Sequence, residues 1–319
     1  MAVNNLLTLS EYAKGLAMAD IRRPIIEMFA EYSDVMEDLP FEGLTGANYV
    51  GYREAVLPTP VFRAINEASS TGHGIITPFQ EACYIIDHDI DVDRAIIDRH
   101  GPERRNYEER MGITAFAQLW VTTFVYGDNS ANARVFNGLA VRSNKYSRDY
   151  HNSAASGGAA LSLSGLDNAI NNVKEPTHIL APFLSRPLWI AAARNTSLTG
   201  FVMQSFEEGD GKGVGGLKMK YAGLKFLWGY PKDFHPPVLQ FNEVASGGGA
   251  AVTASLYVLA LGEGNLRGIQ IRPLEPRDIG LLQDGKTYRT HLSWDVGMVD
   301  EHKYCMARLD SWTNAAIVA

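Results

Sequence analysis

Asp87, Asp89, Asp91 and Asp93 alternate in the stretch DHDIDVD, so in a β-strand their carboxylates share one face. Oxygen-rich clusters hold divalent cations, and a soluble metal-dependent hydrolase using Asp87, Asp89 and Asp91 is one reading of that face. The other is a solvated strand face leading into a helix, with Asp91 or Asp93 as the N-cap. The second is preferred, because the calcium-loop order with its Gly and terminal Glu is absent. The eight histidines, His73, His88, His100, His151, His178, His235, His291 and His302, show no HxxxH or HxH ligand spacing. EEGDGKGVGGLK at 207–218 lacks the GxxxxGK[ST] order of a phosphate loop and reads as a surface loop. There is no GxSxG elbow, dinucleotide fingerprint or Cys–His arrangement. The sequence therefore assigns no catalytic residue, metal ligand or cofactor.

The elements that would have to position any chemistry are more informative. Residues 103–126 read as one helix, with Pro102 in a first-turn position and Gly127 and Asp128 as its stop. Ile113, Phe116, Trp120 and Phe124 fall on one face at period 3.6, the face expected to form its core. The helix would be roughly 36 Å long at ~1.5 Å per residue, well above the ~11–12 residues of an average helix. Asn137-Gly138 reads as a tight turn before a short strand, Leu139–Arg142. Residues 8–39 read as helical, with Pro24 opening a second helix and Pro40 ending it.

Residues 47–93 carry β-branched and aromatic runs broken by Pro58, Pro60, Gly72, Gly74 and Pro78, the pattern of a strand pair with a long tip. Tyr49–Leu57 would run out and Glu81–Ile90 back. A two-stranded arm of this kind is marginal alone in water, so it requires another surface, such as another subunit. Residues 143–165 read as a loop. Beyond them an α/β rhythm follows, with a helix at SGLDNAINNV capped by Ser164, a strand at THILA and a helix at SRPLWIAAARN with Ser185 as cap and Pro187 in its first turn. Strands return over 255–312, TYRTHLSWDVGMV and KYCMARLDSW as a hairpin, and TNAAIVA reads as a tail.

Hydrophobic residues make up 46% and charged residues 20%, a composition sufficient for a sizeable core. A net charge of -7 argues against a basic nucleic-acid grip. The two cysteines, Cys83 and Cys305, make neither a disulfide framework nor a metal motif and read as reduced. The first residues show no secretory pattern and no run of ~18 apolar residues predicts a membrane span, so a soluble protein made in the cytoplasm is expected.

Two stretches carry a family resemblance: LWVTTFVYGDNSANARVFNGLAVRSN, with Phe124, Tyr126, Gly127, Phe136, Gly138, Leu139 and Arg142, and the C-terminal GIQIRPLEPRDIGLLQDGKTYRTHLSWDVGMVDEHKYCMARLDSWTN, with Trp294, Gly297, Ala307 and Arg308. With the element order, they make the chain similar to the HK97-type major capsid proteins of tailed double-stranded DNA phages, nearest the podovirus-like, Gp7-type branch. The resemblance implies an α+β fold divided into an N-terminal arm (1–46), an E-loop with flanking strands (47–90), a P-domain with the spine helix (91–146), an A-domain (147–262) and P-domain return strands (263–319). It implies a structural subunit, not an enzyme, that forms hexamers and pentamers of an icosahedral shell around double-stranded DNA, in the virion after assembly in the host cytoplasm.

Tyr49, Tyr52, Arg53, Val61, Phe62, Arg63, Ile65, Ile75, Ile76 and Phe79 would then meet a neighbouring subunit, and the negative charge would keep the inner wall from gripping the DNA. Some members of the family join subunits by a Lys–Asn bond from the E-loop. Here Lys14 is followed by no lysine until Lys145, which implies a non-covalent shell. No charged helical segment precedes the arm, so a separate scaffolding protein is expected, with a portal and a cement or decoration protein as further partners. An encapsulin-type compartment shell is the alternative within the same fold.

Overall fold

The computed structural model describes residues 8–9, 33–46, 48–69, 71–101, 103–195, 202–204, 219–229 and 237–319. The helices expected over 11–32, Pro24, Pro102, His235 and the Gly-rich stretch 207–218 lie outside them. In chain order the elements are α1 (Asp34–Asp38), β1 (Phe41–Gly43), β2 (Asn48–Val56), β3 (Ile75–Ala82), β4 (Tyr84–Asp93), α2 (Arg94–His100), α3 (Glu103–Tyr126), α4 (Leu139–Lys145), β5 (Asp149–His151), β6 (Ala159–Ser162), α5 (Leu163–Asn171), β7 (His178–Leu180), a 3-10 turn (Phe183–Ser185), α6 (Arg186–Arg194), β8 (Val202–Gln204), β9 (Met219–Tyr221), β10 (Leu224–Leu227), β11 (Glu243–Val244), β12 (Ala251–Leu259), β13 (Leu266–Leu281), β14 (Thr287–Asp300) and β15 (Met306–Val318).

Among the described residues the strands form three sheets. A four-stranded sheet runs β1-β13-β14-β4, a nine-stranded sheet is centred on β15, β12 and β7, and β2 pairs only with β3. The long helix packs on the four-stranded sheet. Ile113, Phe116, Trp120 and Phe124 are all buried there, with Phe41, Ile90, Val92 and Trp294 in the same core. Trp120 lies 5.7 Å from Trp294 and 5.9 Å from Phe41 between ring centroids. Such aromatic pairs add about 0.5–1.5 kcal/mol each beyond area burial. Gly112 lets helix and sheet meet closely, since a Cβ there would stand 2.4 Å from Ile90 Cδ1. A second core, around Trp189, Phe226, Leu256 and Trp312, fills the nine-stranded sheet and its helices.

Several elements depart from the sequence reading. The return strand of the hairpin is Ile75–Ala82, paired with Tyr49 opposite Glu81, not Glu81–Ile90. Tyr84–Asp93 instead joins the body beside β14. Its alternation explains this: Ile90 and Val92 are buried while Asp87, Asp89, Asp91 and Asp93 are exposed, which requires a sheet with one covered face. Leu139–Lys145 is a helix rather than a strand, because Leu139, Arg142 and Ser143 turn inward at i, i+3 and i+4. The stretch 143–165 holds two short strands, and α5 is capped by Ser162, whose Oγ accepts from Gly165 N at 3.3 Å, rather than by Ser164.

The last strand does not form a hairpin with its predecessor. β14 pairs with β13 and β4, whereas β15 crosses to β12 in the other sheet. Residues 263–319 are therefore divided between the two sheets. The expected tail is strand up to Val318, with Trp312 and Ile317 buried.

Candidate functional site

Three of the four carboxylates on the acidic strand face, those of Asp89, Asp91 and Asp93, are engaged within the chain. β4 lies against β14 with Asp91 opposite Arg289 and Asp89 opposite His291. Arg289 grips Asp91 through two parallel bonds of 2.6 Å, and its third nitrogen lies 3.1 Å from Asp89 Oδ2. His291 Nδ1 is 2.6 Å from Asp89 Oδ1. The Arg289 hydrogen bond holds the Asp91 carboxyl below its ordinary range. Asp93 caps α2, accepting from Ala95 N at 2.7 Å. Oxygens engaged in this way are cross-strand pairs and a cap rather than a cation cage. Among the described residues no group of three or more His, Cys, Asp or Glu is placed to hold a metal ion.

The fold also makes a contact that the sequence reading missed, His302 Nδ1 at 3.3 Å from Cys305 Sγ. The signal was the i, i+3 spacing across a turn. Burial pushes the Cys305 thiol up to about 12 and lowers the His302 imidazole, so both groups are held neutral. A thiolate is the reactive form of cysteine, and this pair opposes its formation.

What remains is the hairpin. β2 and β3 project from the body and carry residues 57–69 and 71–74 at their end. Tyr52, Val61, Phe62, Arg63, Ile65, Ile75 and Ile76 are exposed, Phe62 and Ile65 almost completely, at 108% and 92%. The tip's polar contacts are local: Ala64 N donates to Glu67 Oε2 at 2.7 Å and Arg63 Nη1 to Glu67 O at 2.9 Å. Leu57, Val61, Phe62, Ile65, Ile75 and Ile76 form an apolar surface rarely left open on a monomer. At about 1.5–3 kcal/mol per side chain fully buried, covering it is worth on the order of 10 kcal/mol before entropy is counted.

Three of the residues expected to meet a neighbour, Tyr49, Arg53 and Phe79, are instead engaged by their own chain at the hairpin's root. Tyr49 Oη bonds to Glu301 and accepts from Arg267 Nη2 at 2.9 Å. Arg53 reaches Asp300, Glu301 O and Tyr146. Phe79 lies under the Arg53 guanidinium. These residues face the body because Tyr49, Gly51 and Arg53 share the inner side of β2 while Tyr52 and Val56 point out.

The root is a network of three guanidinium and four carboxylate groups. Arg142 pairs with Glu81 and with buried Asp300, Arg53 also pairs with Asp300, and Arg267 joins Glu42 to Glu301. Burial alone would lower the Arg142 guanidinium, but Asp300 and Glu81 outweigh it and raise its pKa. Of these seven residues the sequence points to two, Arg142 through the family pattern and Arg53 as a residue expected to meet a neighbour, and to neither as part of an ion-pair network. The buried phase of Arg142 on α4 was the available signal for a packed ion pair.

The geometry can therefore hold a projecting apolar ribbon at a set direction, and the comparisons with known proteins fit that role. Residues 19–162 match the family model described as Major capsid protein GP7. No curated protein matches the chain by sequence. In three dimensions it is similar to a chain of the holo-SrpI encapsulin complex from Synechococcus elongatus PCC 7942, at 15% identity and TM-score 0.60, with 89% of each chain covered. It is similar to a chain of Microbacterium phage Oxtober96 at 9% identity and TM-score 0.59, covering 87% of this chain and 90% of that one. A chain of Mycobacterium phage Bobi gives 11% identity and TM-score 0.59, covering 94% and 97%. At such identities the likeness carries the fold, and the fold is the HK97 type, a mixed α+β architecture.

Proposed function

We propose that this chain is the structural subunit of an icosahedral phage head, assembling with copies of itself into hexamers and pentamers that enclose double-stranded DNA. The observation that carries the reading is the hairpin tip: an apolar surface at the end of a strand pair whose polar root is fastened to the body. Such a tip gains burial only on another molecule, and a closed shell of identical subunits supplies one at every position. The capsid-family match over residues 19–162 and the HK97-type fold support the same reading.

In the terms of that fold, β2 and β3 are the E-loop, the four-stranded sheet with α3 is the P-domain with its spine helix, and the nine-stranded sheet is the A-domain. The shell is non-covalent, since residues 47–82 contain no lysine to supply a nucleophilic amine. Assembly takes place in the host cytoplasm with a separate scaffolding protein, and a portal and a cement or decoration protein complete the head. The net charge of -7 leaves packaged DNA free to slide.

Electron microscopy of the chain expressed with and without its neighbouring genes tests this. Closed shells that take up DNA are the expected result. An encapsulin-type compartment is the second reading, favoured by the likeness to the holo-SrpI encapsulin chain, and shells that capture a protein cargo and exclude DNA would establish it instead.

A further inference from the structure

We propose that Arg53 is the positioning residue that sets the direction of the hairpin, and that through it the root sets the uniformity of the shell. The second half rests on the shell reading above. The first is a property of the single subunit.

Tyr49 and Glu81 face each other on one rung of the β2–β3 ladder, and each is bonded to the body, to Arg267 and Arg142 respectively. Two attachments on one rung act as an axle, about which the ribbon is free to rock. Arg53 sits four residues farther out, about 13 Å along the strand at ~3.3 Å per residue. Its Nε donates to Glu301 O at 3.0 Å, its Nη1 to Tyr146 Oη at 2.7 Å and its Nη2 to Asp300 Oδ2 at 2.9 Å. The same guanidinium lies 3.9 Å from the centroid of the Phe79 ring on β3. One planar fork thus braces both strands against the turn after β14 and the end of α4.

Gly51 makes this stack possible. It pairs with Phe79 across the ladder, and a Cβ at Gly51 would stand 2.3 Å from Phe79 Cζ. The ring occupies the space that a side chain at position 51 would fill, and the Arg53 guanidinium lies over its face. A lysine at position 53 would offer a point charge in place of the fork. The lever is long enough for the brace to matter. From Tyr49 to Val56 the strand spans about 23 Å, so rocking by about 10° moves its end by about 4 Å. That is the width of an apolar contact.

The test uses pulsed electron–electron spin-resonance distances in the unassembled full chain, with nitroxides at Ile65→Cys on the tip and Ile279→Cys on β13, both exposed, in a Cys83→Ser background. Arg53→Ala, Arg53→Lys and Gly51→Ala are compared with the parent, with near-UV circular dichroism as the check on folding. The expected result is a tip-to-body distance distribution at least twice as broad in Arg53→Ala and Gly51→Ala, partial narrowing in Arg53→Lys, and particles of mixed diameter from Arg53→Ala. An unchanged distribution in folded Arg53→Ala overturns the proposal. So does a broadened distribution with particles as uniform as the parent's. Failure of the parent chain to form particles would count against the shell reading alone, and the distances would still decide the brace.

Discussion

Arg142 holds Glu81 through two parallel hydrogen bonds of 2.9 and 2.8 Å, and the same guanidinium pairs with the fully buried Asp300. A residue of the hairpin's returning strand is in this way fixed to α4 and to the end of β14 by one side chain. Burying charge is costly, and removing one partner leaves the other unpaired.

Replacing Arg142 with Met is expected to lower stability by about 3–5 kcal/mol, the usual cost of breaking a buried pair on one side. Urea unfolding of the unassembled chain measures it. A loss under ~1 kcal/mol would mean that Asp300 is satisfied without Arg142.

Phe62 and Ile65 have almost no contact with their own chain, so Phe62→Ser with Ile65→Ser is expected to leave the free energy of unfolding unchanged within about 0.5 kcal/mol. The same double change removes about 3–6 kcal/mol of burial from each contact made on another copy. The concentration at which light scattering first reports assembly is expected to rise on the order of a hundredfold or more.

Asp38 links α1 to the nine-stranded sheet through Lys225 and His178. Burial alone would push its carboxyl up, but the hydrogen bonds from His178 and Lys225 outweigh burial and hold it below the ordinary value of 3.8. A depressed folded pKa stabilises the native state above the unfolded value and ceases to do so as pH falls through the folded one. The advantage of the parent over Asp38→Asn is therefore expected to be full at pH 5 and above, and to shrink as the pH is lowered below about 4. Thermal melts of the two proteins from pH 3 to pH 7 follow the difference.

Purified shells dissolved in denaturant are expected to give a single band and a single mass, that of the free chain. A ladder of covalent multimers would contradict a non-covalent shell.

The helix over 103–126 was legible because Ile113, Phe116, Trp120 and Phe124 repeat at a period that only a helix satisfies. The hairpin was legible as a feature but not in register. Tyr84–Asp93 is as β-prone as Ile75–Ala82, and the choice between them is made by β14, some 200 residues away in sequence. Distance in sequence also hid the root, since Arg53 and Glu81 on the hairpin meet Arg142 and Asp300 only after the chain has folded. The strand and its helix cap were legible in the alternation of Asp87 to Asp93, and Asp93 does cap α2, whereas the cross-strand partner Arg289 was not visible at all. Nothing in the final strands marked that β15 would leave β14 and cross to β12.

Burial of the hairpin tip on a second copy is measured most directly by a cryo-electron-microscopy reconstruction of the particles formed by this chain, at a resolution that traces residues 57–74. Closed shells are expected, with Phe62 and Ile65 of each copy buried against the body of another. Particles in which those residues rest on their own subunit, or a chain that stays monomeric at every concentration with the tip folded back, would contradict this arrangement.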